Sequence, residues 1–179
     1  RIRNFYLIKK RIKLSSKLIM IERYSREELR YIWSDYNKYT LWLQIEIAAA
    51  EAMEKLKIIP KGVSKKVKSK AKINTKRILE IEKKVKHDVI AFLTSISEKV
   101  GNESRYLHKG MTSSDVLDTC FNLQLKQSGQ ILLKDIDQLL VSIKRQALKH
   151  KYTMCIGRSH GIHAEPITYG FKMLTFYQE

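Results

Sequence analysis

The sequence predicts an all-α protein, and three observations carry that expectation. Two prolines and seven glycines in 179 residues leave few obligatory breaks in helix. Apolar residues recur every three or four positions through most of the chain, the spacing of one helix face. Strand-like sequence is confined to one short run, 152–156.

Taken in order, the first helix is expected at Ser25. Ser25-Arg26-Glu27-Glu28 reads as a capping box, in which the serine hydroxyl takes a free amide while Glu28 reaches back. Ile32, Tyr36, Tyr39, Leu43, Ile47, Ala50 and Met53 hold helical spacing to Lys57, and Pro60 ends it. Two shorter helices are expected near 62–72 and 75–86. After His87 and Asp88 comes an apolar helix, VIAFLTSISEKV, closed by Gly101-Asn102.

From about 114 to 150 there is no proline. Leu117, Phe121, Leu125, Ser128, Leu132, Ile136, Leu139, Ile143 and Ala147 form one stripe. At 1.5 Å per residue this helix would be about 50–55 Å long. A stripe of that length needs partners that the last 29 residues cannot all provide, so further chain or other subunits are expected against it.

The formal charge of +17 suggests a polyanion partner until its distribution is considered. Residues 1–19 hold seven Lys or Arg and no acid, and residues 61–77 hold eight and no acid. Elsewhere, 20 bases face 18 acids. The lysine-rich run KGVSKKVKSKAK lacks interleaved aromatics, so it reads as a solvated helix face and no nucleic-acid partner is expected. No apolar run approaches the ~20 residues of a membrane span, and no membrane partner is expected. Cys120 and Cys155 stand in unlike contexts without CxxC, as reduced thiols of a cytoplasmic protein would. Residues 1–19 are expected to be a basic extension outside the fold. Residues 20–111 are read as an N-terminal helical domain, and 112–179 as the start of a helical-bundle domain.

Polar residues fit for chemistry gather at three interruptions of the helical pattern. Lys86-His87-Asp88 is the first, readable as a helix start with a surface histidine or as site residues. HKGMTSSD, 108–115, is the second; its hydroxyls at a helix start can cap, or can join free amides in binding a carboxylate or phosphate. GRSHGIHAEP, 157–166, is the third. His160 and His163 lack a third ligand in a metal arrangement, so no metal is expected. A serine-hydrolase elbow at GRSHG is not the reading adopted. A polar loop with Glu165 capping a helix and Pro166 in its first turn is the bland alternative. Two histidines beside Arg158 favour general acid/base work with anion binding.

Together, MIERYS (20–25), ILEIEKKVKHDVIAF (78–92), HKGMTSSDVLDT (108–119), ILLKDID (131–137) and HKYTMCIGRSHGIHAEP (150–166), followed by TYGFK, resemble the fumarase/aspartase superfamily, and within it the adenylosuccinate lyases. The resemblance spans residues 20–179. It implies an N-terminal helical domain followed by the first long helices of a central bundle shared among four subunits. It implies elimination of fumarate from adenylosuccinate, giving AMP, and from the related succinyl-carboxamide ribotide of purine synthesis. The partners implied are the small-molecule substrate and a homotetramer, and no cofactor.

By the same resemblance, His160 is the general acid that protonates the leaving nitrogen, and His87 is the second catalytic histidine. Arg23 and Tyr24 contact the nucleotide phosphate, Lys86, His87 and Asp88 line the substrate site, and Thr112 and Ser113 hold a carboxylate. Arg158, Ser159 and His163 are supporting residues. Ser159 stands where the family usually has threonine, keeping the hydroxyl. The family's serine-bearing loop, with wording close to SSAMPHKRNP, occurs nowhere in the 179 residues. The sequence is therefore expected to correspond to less than half of the enzyme and to be inactive alone. A non-catalytic remnant and a sister lyase acting on argininosuccinate are the alternatives.

Overall fold

The computed structural model describes residues 22–179, which form two compact units, one ending at Leu125 and the other spanning Lys126–Glu179. The basic stretch 1–19 lies outside the described residues, as do Met20 and Ile21.

The first unit begins with a 3-10 turn, Glu22–Tyr24, and helices α1 (Glu27–Ile32) and α2 (Asp35–Lys55). The single helix expected from Ser25 to Lys57 is thus two, and Arg26 rather than Ser25 occupies the N-cap of α1. The break lies at Trp33-Ser34, where a local cap outcompetes propagation. Ser34 Oγ accepts the Asn37 amide at 3.2 Å, while the Ile32 carbonyl accepts the side-chain amides of Asn37 at 2.8 Å and Gln124 at 2.7 Å. A new start shifts the buried face of α2 to Tyr39, Trp42, Glu46 and Ala50, and leaves Tyr36 exposed.

Helices α3 (Val63–Lys70), α4 (Thr75–Val85) and α5 (Asp88–Val100) follow close to their expected places. Gly62 caps α3 but has no side chain to offer. Glu54 supplies the acceptors instead, taking the amides of Ser64 at 2.6 Å and Gly62 at 3.1 Å. Those two amides hold the Glu54 carboxyl below the usual carboxylate range. Val63 and Val67 turn α3 inward, and Lys65, Lys66, Lys68 and Lys70 face water. Lys66 meets Glu103 at 2.8 Å, and Arg77 on α4 meets Glu98 on α5 at 2.6 Å.

The core of this unit centres on an aromatic trio. Phe92 stacks on Tyr39 at 6.1 Å between ring centres and meets Trp42 edge-on at 5.4 Å, with Tyr39 and Trp42 edge-on at 5.3 Å. Ile78, Ile96 and Val67 are buried around it. After α5, Gly101 supplies a φ of 78° at the helix end, and a 3-10 turn, Gly101–Tyr106, leads towards α6 (Ser113–Lys149).

Helix α6 has 37 residues, which is about 55 Å. Its first residues belong to the first unit because Val116 and Cys120 are buried in that core. The buried line is Val116, Cys120 and Gln124, one position round from the expected Leu117, Phe121 and Leu125. Phe121 instead lies against Trp33, 6.0 Å between ring centres. Burial raises the pKa of the Cys120 thiol, and both cysteines are free. Further along α6, Leu132, Ile136 and Leu139 are exposed.

In the second unit, β1 (Met154–Ser159) and β2 (Ile162–Thr168) form an antiparallel hairpin, and α7 (Tyr169–Gln178) closes the chain. The stretch 157–166, read as a loop on either of its readings, is instead most of a hairpin, and the capping role that the bland alternative gave Glu165 is not seen. Pro166 lies within β2 opposite Ile156, tolerable because a two-stranded sheet consists of edges. Thr168, not Glu165, caps α7, its hydroxyl accepting the Phe171 amide at 3.1 Å. The Tyr169 amide donates to the Thr153 carbonyl at 2.8 Å and the Gly170 amide to the His150 carbonyl at 2.9 Å. A Cβ on Gly170 would run into the carbonyl oxygens of Ala147 and His150, so glycine is required. No helix of the described residues is long and apolar enough to cross a membrane.

Candidate active site

Four short segments carry the predicted site residues, each at a turn or at the end of a helix or strand. In the first unit, Lys86 ends α4 in the left-handed conformation, φ 56°, with its amide on the Glu82 carbonyl at 2.8 Å. His87 then caps α5, its Nδ1 accepting the Ile90 amide at 3.4 Å. A nitrogen that accepts is unprotonated, so a neutral His87 carries its proton on Nε2. Asp88 stands in the first turn of α5 with Oδ1 on the Val89 amide at 2.7 Å, and 3.5 Å from His87 Nδ1. The helix start thus holds all three residues in fixed order, with the Lys86 amine exposed.

At the start of α6, Asp115 Oδ2 accepts the Thr112 amide at 2.8 Å and the Asp115 amide returns to the Thr112 carbonyl at 3.1 Å. This reciprocal box leaves the hydroxyls of Thr112, Ser113 and Ser114 without a partner among the described residues. The segment thus caps its own helix through Asp115 rather than through its hydroxyls, which lie beside the free amides of the helix start.

Arg23 and Tyr24 sit on the 3-10 turn that opens the first unit. The guanidinium donates to the Tyr24 hydroxyl at 3.0 Å and lies 4.8 Å from the ring centre. Tyr24 is 73% exposed. In that arrangement a cation and a phenol lie side by side, bonded to each other.

The second unit presents Arg158, Ser159, His160 and His163 on the hairpin. His160 and Gly161 form its two-residue turn with φ of 52° and 77°, the paired positive values of a type I′ turn. His160 is therefore held at the tip, exposed, by strand pairing on either side. Arg158 and His163 are directly opposite in the register, as are Ser159 and Ile162. The run 157–161 has the spacing G-x-S-x-G, but Ser159 ends a strand that doubles back as a hairpin, so the strand-to-helix elbow of a serine hydrolase is absent. Gly157 makes a bulge between Ile156 and Arg158, where its backbone passes close to Glu165. Arg158, Lys172, Cys155 and Tyr169 line a cleft of about 550 Å³. A larger cleft of about 830 Å³, beside Glu51, Glu54 and Ile58 at the end of α2, contains none of the predicted residues.

One pair was not singled out by motif spacing. Glu46 is buried in the middle of α2, and both its oxygens serve His108, Oε2 taking the main-chain amide at 2.6 Å and Oε1 the ring Nδ1 at 2.7 Å. The available signal was Glu46 itself, an acid on the apolar line 39, 42, 46, 50. Backbone strain adds a second signal. Of the four non-glycine residues with positive φ among the described residues, Lys86, His108 and His160 all fall in the predicted clusters. No group of three His, Cys, Asp or Glu among the described residues could hold a metal ion.

This hairpin, the long helix before it and the helical unit upstream coincide with the model of a lyase family, which matches residues 22–179. The chain belongs to this lyase family. Among its relatives, the adenylosuccinate lyase of Synechocystis sp. is 51% identical over 160 residues, covering 89% of this chain and 37% of that protein. The adenylosuccinate lyase of Bacillus subtilis is 48% identical over the same length, with the same coverage of each. The chain thus spans little more than a third of the curated relatives it matches. A crystal structure of fumarate lyase from Mesorhizobium sp. BNC1 superposes with a TM-score of 0.81 at 24% identity, over 86% of this chain and 37% of that one. A 3-carboxy-cis,cis-muconate lactonizing enzyme from Pseudomonas putida superposes at 0.77 with 27% identity, over 86% and 36%. The all-α lyase fold expected from the motifs is the fold of these proteins.

Proposed function

We propose that the chain is part of an adenylosuccinate lyase, which eliminates fumarate from adenylosuccinate and from the related succinyl-carboxamide ribotide. The observation that carries the reading is the identity of about half the residues, over 160 positions, with two adenylosuccinate lyases. The chemistry asks for groups that this chain possesses. Removing a proton beside a carboxylate builds charge on its oxygens, and preorganised donors there lower the barrier. Thr112 and Ser113, at the start of α6, are those donors. His160 at the hairpin tip is the general acid, giving its proton to the leaving nitrogen as the C–N bond breaks. Its exposure and its fixed turn suit a group that must meet a substrate held by other elements. His87 is the second catalytic histidine, and it lines the substrate site with Lys86 and Asp88. Arg23 and Tyr24 bind the phosphate, with Arg158, Ser159 and His163 in support.

The base in this reading is a serine on a loop not contained in the 179 residues, so the chain supplies the acid and binding side of the reaction. A homotetramer in the cytoplasm is part of the same proposal. The exposed Leu132, Ile136 and Leu139 on α6 support subunit packing along that helix. The test is loss of adenylosuccinate followed by absorbance, for this chain and for the chain extended by any adjoining reading frame. Turnover confined to the extended form is the expected result. Turnover by neither form refutes the reading, and turnover by the short chain refutes the assignment of the base.

A further inference from the structure

Glu46 has no exposed side-chain surface, yet it occupies a position on the core face of α2 that an apolar residue would fill with less desolvation. Both its oxygens are committed to a single residue 62 positions away, the main-chain amide and the ring Nδ1 of His108. A carboxylate only accepts, so Nδ1 must carry a proton. Nε2 has no partner among the described residues, and the ring keeps 20% of its surface exposed. His87 is the opposite case, with Nδ1 accepting from the Ile90 amide. The hydrogen-bond partners of the two histidines of the first unit's site segments thus favour opposite proton arrangements.

His108 also stands in the left-handed region, φ 57°, which few non-glycine residues enter, histidine, asparagine and aspartate more often than the rest. The turn it opens continues through Gly110, φ 71°, and the Met111 amide reaches back to the His108 carbonyl at 3.4 Å. Thr112 and Ser113 come next. Whatever anchors His108 therefore anchors the entry of the chain into α6.

We propose that Glu46 is a positioning residue acting through His108. Its carboxylate sets the ring proton on Nδ1, leaves Nε2 as the nitrogen available to a ligand, and clamps the turn that presents Thr112 and Ser113. This deepens the lyase reading and rests on it only in treating that turn as part of the substrate site.

The experiment is a ¹⁵N spectrum of the histidine side chains in the 179-residue chain, with His108 assigned by its loss in His108→Asn. The expected result is an Nδ1–H ring for neutral His108 and an Nε2–H ring for His87. In Glu46→Gln the side chain keeps its shape, but its amide must face one of the two His108 donors. The expected result there is loss of the Nδ1–H form at His108 with His87 unchanged. Should that variant fail to fold by circular dichroism, Glu46→Met removes the acceptor without burying a new polar group and is read in the same way. An Nε2–H ring in the unaltered protein, or an Nδ1–H ring that survives replacement of Glu46, overturns the proposal. The readout needs no substrate. The expected spectra in a protein whose extended form lacks lyase activity would uphold the clamp and sink the lyase reading, and activity with an Nε2–H ring would do the reverse.

Discussion

Replacing Gly157 by alanine tests whether close strand approach, rather than turn chemistry, holds His160 in place. A Cβ at this position would lie 2.9 Å from the Glu165 carbonyl oxygen and 3.4 Å from Ile167 Cγ2. Ordinary contact begins at about 3.5 Å, so the two strands must part by roughly half an ångström. The nearer atom belongs to the opposing backbone and cannot rotate away. Overpacking of this kind costs about 1–3 kcal/mol. Gly157 is not in the positive-φ region, so the penalty comes from contact alone. Spread over one two-stranded hairpin, it raises the population of locally open hairpin by about 5- to 150-fold, taking tenfold per 1.4 kcal/mol. Amide hydrogen exchange reads this directly. Protection at the strand amides of β1 and β2 should fall by that factor, while protection in α5 of the first unit stays unchanged. Equal protection in Gly157→Ala and the unaltered chain would refute the close approach on which the bulge is argued.

His160→Gly should keep or tighten the hairpin, because it removes a left-handed strain of about 1 kcal/mol, and under the proposed role of His160 as general acid it should lower turnover of the extended protein by about 10²–10⁴-fold; exchange protection and kinetics separate the two effects. Phe92→Ala removes the ring that touches both Tyr39 and Trp42. It should cost the first unit about 3–5 kcal/mol, read as a fall in the urea midpoint by tryptophan fluorescence. The Glu54 carboxyl is held low by the Ser64 and Gly62 amides, so its contribution is present at neutral pH and fades as acid brings pH down through its folded value. Glu54→Gln should therefore flatten the acid side of the stability profile, and an unchanged profile would show that the α3 cap carries no linked proton. Lys86→Gly should leave the thermal midpoint the same or higher, since glycine accepts the φ of 56° at the end of α4, while substrate binding weakens by KM.

The sequence by itself determined the class of fold, the placing of α3 to α6 and the polar interruptions between helices. Those properties follow from periodicity and from Gly, Pro and polar caps, which act within a few residues of each other. Lys86, His87, Asp88, Thr112, Ser113 and the 158–163 cluster stood out as candidates for the same reason, as polar residues interrupting a regular pattern. Tertiary structure decided what local pattern leaves open. Gln124 on α6 reaches the Ile32 carbonyl and helps break the first helix, which rotates the buried face of α2. Val116 and Cys120 are buried one position round from the more apolar stripe, because burial depends on the partner presented and not on hydrophobicity alone. The stretch 157–166 has too few β-branched residues to declare two strands, and it pairs because Gly157 admits the opposing backbone and His160-Gly161 makes the turn. Glu46 and His108 are 62 positions apart, and no local rule connects them. Only packing α2 against the entry to α6 brings a buried carboxylate to the two donors that make its burial affordable.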